Sequence, residues 1–103
     1  MEIIKDLEEK ISDEIHDIKS YAKMAAAVKA EHPSLAQALY TISTQEDTHQ
    51  AMLHTEVVKL IEEHRRTKGA PPPEMLAIYD FLHKQHIEKL AEARRYQDIY
   101  KNA

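Results

Sequence analysis

The sequence predicts an all-α fold: a long antiparallel helical hairpin followed by a third helix, in one domain spanning residues 1–103. Three observations carry this. Charged residues make up 31% of the chain, aromatics 6%, and there is one glycine, a composition that suits long helices and disfavours sheets. Apolar residues recur at helical spacing in three segments. Two stretches rich in helix breakers, Glu31-His32-Pro33-Ser34 and Thr67-Lys68-Gly69-Ala70-Pro71-Pro72-Pro73, separate them.

The first segment, about 2–30, carries a heptad: Ile4, Ile11, Ile18 and Ala25 on one row, Leu7, Tyr21 and Val28 on the other. The missing member of the second row is Glu14. Ile15 and Met24 widen the expected apolar face, and Asp13, His16 and Lys23 fall outside it. Pro33 then breaks the pattern, because proline disfavours helix at the residue before it and suits the first turn of a new one. Ser34 and Gln37 have the spacing of a capping box.

The second helix is expected over about 34–66, its stripe reading Leu35, Leu39, Ile42, Glu46, His49, Leu53, Leu60 and drifting late, from Leu53 through Val57 to Leu60 and Ile61. Gly69 stops it, and the prolines hold an extended spacer up to the next helix start. The third helix is expected over about 74–101, with Met75, Ile78, Tyr79, Leu82, His86, Leu90, Ala93 and then Tyr96 or Tyr100 on its apolar side.

Composition excludes several functions. A net charge of -4 with no basic stripe gives no support for nucleic-acid binding. With no cysteine there is no disulfide framework, thiolate chemistry or iron–sulfur site. No apolar run approaches the ~18 residues that span a membrane, and the N-terminus lacks the apolar core of a signal peptide. The expected location is the cytoplasm.

The chemistry lies in Glu46-Asp47-Thr48-His49. Residues three apart share a helical face, and here that face is the apolar one. Burying a lone carboxylate costs several kcal/mol unless it is paired or binds a metal. Glu14 lies about as far before the hairpin turn as Glu46 and His49 lie after it. At 1.5 Å per residue the axial mismatch is only about 2–6 Å. The hairpin is therefore expected to bring Glu14, Glu46 and His49 to one level. Four-helix dinuclear carboxylate proteins take one Glu from each of two helices and Glu-x-x-His from each of the other two. This hairpin supplies one of each, so two copies related by a two-fold axis supply the full set. Iron and manganese suit such carboxylate and imidazole donors.

On these residues the chain resembles the ferritin-like superfamily, on its rubrerythrin side, and is similar to the half-size encapsulated-ferritin type. The matching positions are Glu14, Tyr21 seven residues later, and Glu46 with His49, over roughly the first two helices. The resemblance implies a four-helix bundle completed by dimerisation, two iron ions at the subunit interface, and oxidation of Fe(II) by dioxygen or peroxide. It also implies that Tyr21 stands beside the metals. The long third helix departs from that pattern. So does the tail Gln97–Ala103, which does not look like an encapsulin-targeting segment and argues against a shell partner. The absence of cysteine removes the rubredoxin module of rubrerythrins proper.

The alternative is a non-catalytic helical oligomerisation or adaptor module. In it, Glu14 or Glu46 pairs with a histidine or Lys89 of the third helix in a polar layer that sets register, and Lys10 pairs with Glu14 on the surface. Glu56 and Asp17 read as solvated residues, or else as lining an ion path. His83 and His86 have a ligand-like i,i+3 spacing, with His86 expected in the core or an interface. His16, His32, His54 and His64 are expected on the surface.

Overall fold

The computed structural model describes residues 2–103 and consists of three helices: α1 (Glu2–Val28), α2 (Pro33–Lys68) and α3 (Pro73–Asn102). Their ends lie within two residues of those expected. The molecule is a rod of 56 × 18 × 18 Å. Among the described residues no helix is long and apolar enough to cross a membrane.

α1 is the central element. Its first heptad row is the core itself: Ile4, Ile11, Ile18 and Ala25 are all essentially inaccessible. The three isoleucines and Ile15 pack against Val57 of α2 and Ala93 of α3, and Ala25 packs with Ala36, Leu39 and Tyr100. α2 runs antiparallel to α1, and α3 runs parallel to it, as the pairs Ser12–His86 and Lys19–Glu92 show. α2 and α3 barely approach each other. A few side chains bridge them: Asp47 to Arg94, Ser43 to Gln97, Gln37 to Tyr100, and His54 stacked on His83.

The turns follow from local chemistry. Pro33 occupies the first helical position of α2, where its missing N–H costs nothing. The capping box expected at Ser34 and Gln37 does not form: the cap residue is His32, and it makes no side-chain cap bond. With Pro33 leading, Ser34 falls one residue inside the helix. Gln37 turns elsewhere, donating to Thr41 Oγ1 at 3.3 Å and accepting from the Tyr100 hydroxyl at 3.1 Å. Gly69 closes α2 at φ 86°, a left-handed value that suits glycine, and its N–H donates to the Arg65 carbonyl. Lys29 Nζ donates to the carbonyls of Tyr100 and Ala103 at 2.6 and 3.0 Å. A cation thus sits on the negative end of α3 and ties it to the end of α1.

Two expected stripes are corrected. Met24 is half exposed rather than part of the core. On α2 the buried row is Ala36, Leu39, Ser43, Gln50 and Val57. Leu35 is half exposed, and Ile42, Glu46, Leu53 and Leu60 are only partly covered. Leu39 and Val57 are buried as expected, but α2 is rotated so that the rest of the stripe read from sequence lies along its flank. That happens because small or polar side chains at 36, 43 and 50 let α2 lie close to α1. Likewise Ile78 of α3 is exposed, and Tyr100, not Tyr96, is the buried tyrosine near its end.

The fully buried Ser43 is the polar pin of this arrangement. Its hydroxyl donates to the Ile18 carbonyl at 2.7 Å and accepts from Gln97 Nε2 at 3.0 Å. Ser43→Ala leaves the buried Gln97 amide short of a partner, so the unfolding free energy should fall by about 1–3 kcal/mol. Urea denaturation followed by circular dichroism checks this, and Ser43→Ala/Gln97→Leu should recover part of the loss.

Candidate metal centre

Glu14 projects from the flank of α1 that faces α2 on the side away from α3. Glu46 and His49 project from the matching flank of α2. Each sits in the interior of a long helix, so its backbone is fixed by the ladder on both sides. Asp47, between them in sequence, turns to the other flank and holds Arg94 through two hydrogen bonds of 3.0 and 2.9 Å. Burial works against the Asp47 charge, yet the Arg94 guanidinium and the Gln50 amide hold its carboxyl below the usual range. Asp47 is thereby committed to structure.

Glu14, Glu46 and His49 converge. One donor atom from each can be chosen so that all lie within 4.8 Å of one another, the only such group of three among the described residues. His49 Nδ1 is 3.7 Å from Glu14 Oε2 and 3.9 Å from Glu46 Oε1. Both distances are too long for hydrogen bonds, so the three side chains approach without satisfying one another. Glu14 Oε2 is buried and has no hydrogen-bond partner. A buried carboxylate oxygen with nothing to accept is costly, and a bound cation removes that cost. The donor set therefore fits a hard or borderline divalent metal.

The centre is open on one side. The Glu14 and Glu46 side chains are 25% and 19% exposed, and that of His49 is 53% exposed. Three protein ligands leave coordination positions free. Apolar side chains lie along the same flank towards its two ends: Ile3 beside Leu60 at one, Met24 and Leu35 at the other.

Tyr21 is partly buried two turns along α1 from Glu14 and packs with the cluster of Ala25, Ala36, Leu39 and Tyr100. The alternative pairings do not form. Lys89 lies on the opposite flank of α1 beside Ser12 and His86. Among the described residues Lys10 makes no ion pair with Glu14, and Asp17 and Glu56 do not join the group; Glu56 pairs with Lys59.

Two features escaped the sequence reading. Glu8, one turn after Ile4, is buried at the α1–α3 interface, its Oε2 3.3 Å from His86 Nδ1. Helical spacing from Ile4 and to Ile11 and Ile15 was the signal that would have found it. His54 is not a surface residue as expected: it is half-buried, its ring 4.8 Å from that of His83 and within 13° of parallel. His86 is buried at an interface, as expected.

The class that the fold and this site define is an all-α three-helix protein with a candidate metal-binding triad. Comparison with family models, curated proteins and solved structures finds no match to this chain.

Proposed function

We propose that this chain is half of a di-iron carboxylate oxidase of the ferritin-like kind, a ferroxidase whose centre is completed when two α1–α2 hairpins face one another. The observation that carries the reading is the orphaned Glu14 Oε2 beside Glu46 and His49. Two copies supply four carboxylates and two imidazoles, the number that two metal ions in a four-helix bundle require. The half-open flank and its apolar ends, Ile3, Met24 and Leu35, support pairing through this face. α3 supports it too, because it packs on the other side of α1 and leaves the face clear.

Within the pair, Glu14, Glu46 and His49 would hold the ions, two iron atoms per interface or manganese in their place. The bound metal supplies the one-electron chemistry that oxidises Fe(II) with dioxygen or peroxide. The protein's own share is electrostatic and geometric. Glu14 and Glu46 attract the cation and neutralise it, His49 fixes the open edge, and the paired apolar ends limit access of water. Tyr21 stands two turns from Glu14 on the same row and would border the centre once the second hairpin covers it.

The test is Fe(II) oxidation in air. The chain should convert Fe(II) to Fe(III) faster than buffer does, and Glu46→Ala should fall to the buffer rate. Equal rates for the wild-type chain and buffer would rule out the oxidase. The adaptor reading would then be favoured, since the same polar layer can set register without catalysis.

A further inference from the structure

Glu8, His86 and Ser12 form a line from the core to the surface where α1 meets α3. Glu8 and His86 are buried, and Ser12 is exposed. Glu8 Oε2 lies 3.3 Å from His86 Nδ1, and His86 Nε2 lies 2.8 Å from Ser12 Oγ. Each ring nitrogen thus faces one partner. A carboxylate only accepts, so the tautomer that suits both contacts carries its proton on Nδ1. Nε2 then accepts from the Ser12 hydroxyl.

A helix serine or threonine ordinarily bonds back to the carbonyl four residues before it. Thr41, Thr48, Thr55 and Thr67 of this chain do so. Ser12 instead reaches across to α3. Together with His86 it lines a groove of about 230 Å³, with Ile15, Lys19, Lys89 and Glu92 around them. Ser12 is two residues from Glu14, and residues so spaced do not share a helical face.

We infer that Ser12, His86 and Glu8 form a second reactive site, separate from the Glu14 triad, which hydrolyses short-chain carboxylic esters through an acyl-Ser12 intermediate. A hydroxyl within reach of a base that a third group orients is the arrangement nucleophilic catalysis needs. Ser12 Oγ attacks the acyl carbon as its proton passes to His86 Nε2. The ester C–O bond breaks, and the leaving oxygen takes that proton and departs as an alcohol. Water then adds to the acyl carbon and gives a proton to Nε2. The bond to Ser12 breaks, the proton returns to Oγ, and a carboxylic acid leaves. Glu8 is a positioning residue: it orients the ring through Nδ1–H and balances the imidazolium. Its 3.3 Å contact is longer than a formed N–H···O bond, and catalytic contacts of this kind tighten in the substrate complex.

The surroundings suit a base. Burial, then the charges of His83 and His54, hold the His86 imidazole below its usual pKa, so it is neutral and ready to accept. Burial raises the Glu8 carboxyl despite His83 nearby, and Tyr79 also faces it. A poorly solvated carboxylate gains most from an imidazolium beside it. Mid-helix N–H groups are taken by the helix ladder, so the acyl oxygen needs a side-chain cation. Lys19 is held by Glu92 at 2.7 Å, which leaves Lys89. The groove is smaller than the roughly 300–1,000 Å³ of a drug-sized site, hence the short acyl chain.

The probes are p-nitrophenyl acetate for turnover and diisopropyl fluorophosphate for the nucleophile, both on the full-length chain. Mass spectrometry should find one adduct, on Ser12, and none on Ser20, Ser34 or Ser43. Ser12→Ala keeps the helix, since alanine favours it. It should lower kcat/KM about a hundredfold, the low end of what a positioned acid–base group contributes. His86→Gln should abolish the Ser12 adduct. Glu8→Gln should lower kcat and move the acid limb of the kcat/KM profile to lower pH, because the imidazolium loses its counter-charge. A purely structural Glu8 would leave that limb in place, and an unmoved limb overturns its role. No adduct on Ser12, or ester hydrolysis unchanged in Ser12→Ala, overturns the site. So does an adduct formed as fast in His86→Gln as in the wild type.

Discussion

His49→Ala should remove most Fe(II) binding by the triad and leave helix content nearly unchanged. The ring is half exposed, and the core of Ile11, Ile18 and Val57 packs without it. Truncation therefore costs little packing, unlike a core substitution, which typically loses about 2–5 kcal/mol. The chemistry loses its only neutral nitrogen donor, and Glu14 and Glu46 remain as two facing carboxylates. Binding measured by anaerobic equilibrium dialysis, beside circular dichroism of the same samples, checks both halves of the result. His16→Ala, on the outer face of α1, is the control. His54→Ala does not serve, because His54 lies in the α2–α3 groove. Full iron occupancy in His49→Ala would remove it from the ligand set.

The second large effect is a linkage between metal and subunit pairing. Two facing hairpins bring four carboxylates together. Without metal they repel, and some must stay protonated or draw in water. An ion that binds only the paired state stabilises it by RT ln(1 + [L]/Kd), about 2.7 kcal/mol at a hundredfold excess over Kd. That makes the dimer roughly a hundredfold tighter per site. Glu14→Leu should reverse the sign. It fills the heptad position of α1 with an apolar side chain and removes the orphaned Oε2. Metal binding at the triad should be lost while the metal-free pair becomes as tight as the wild type or tighter. Sedimentation with and without Fe(II), under anaerobic conditions, measures both proteins. A chain that takes up its iron as a monomer, or a wild-type pair of unchanged affinity on adding metal, would contradict the half-site arrangement.

The sequence by itself determined the helices and the triad. Each helix is long, strongly periodic and bounded by proline or glycine, so local preference and burial pattern point the same way. Glu14, Glu46 and His49 were legible because they interrupt apolar stripes, and because two helices joined by a short turn have a register that counting residues can set. What the sequence left open depends on how the helices are turned about their own axes and where α3 lies. Besides Leu39 and Val57, which the stripe includes, α2 buries Ala36, Ser43 and Gln50, because small and hydrogen-bonded side chains permit close approach to α1. Hydropathy ranks that row below the leucines that ended up on the flank. Placement of α3 is a long-range choice, made by Lys19 with Glu92, Asp47 with Arg94 and Ser43 with Gln97. None of these pairs is visible as a local pattern. Helical spacing could place Glu8 on the buried face of α1, but only the tertiary structure could show that it meets His86 and that His54 stacks on His83, since those partners come from other helices.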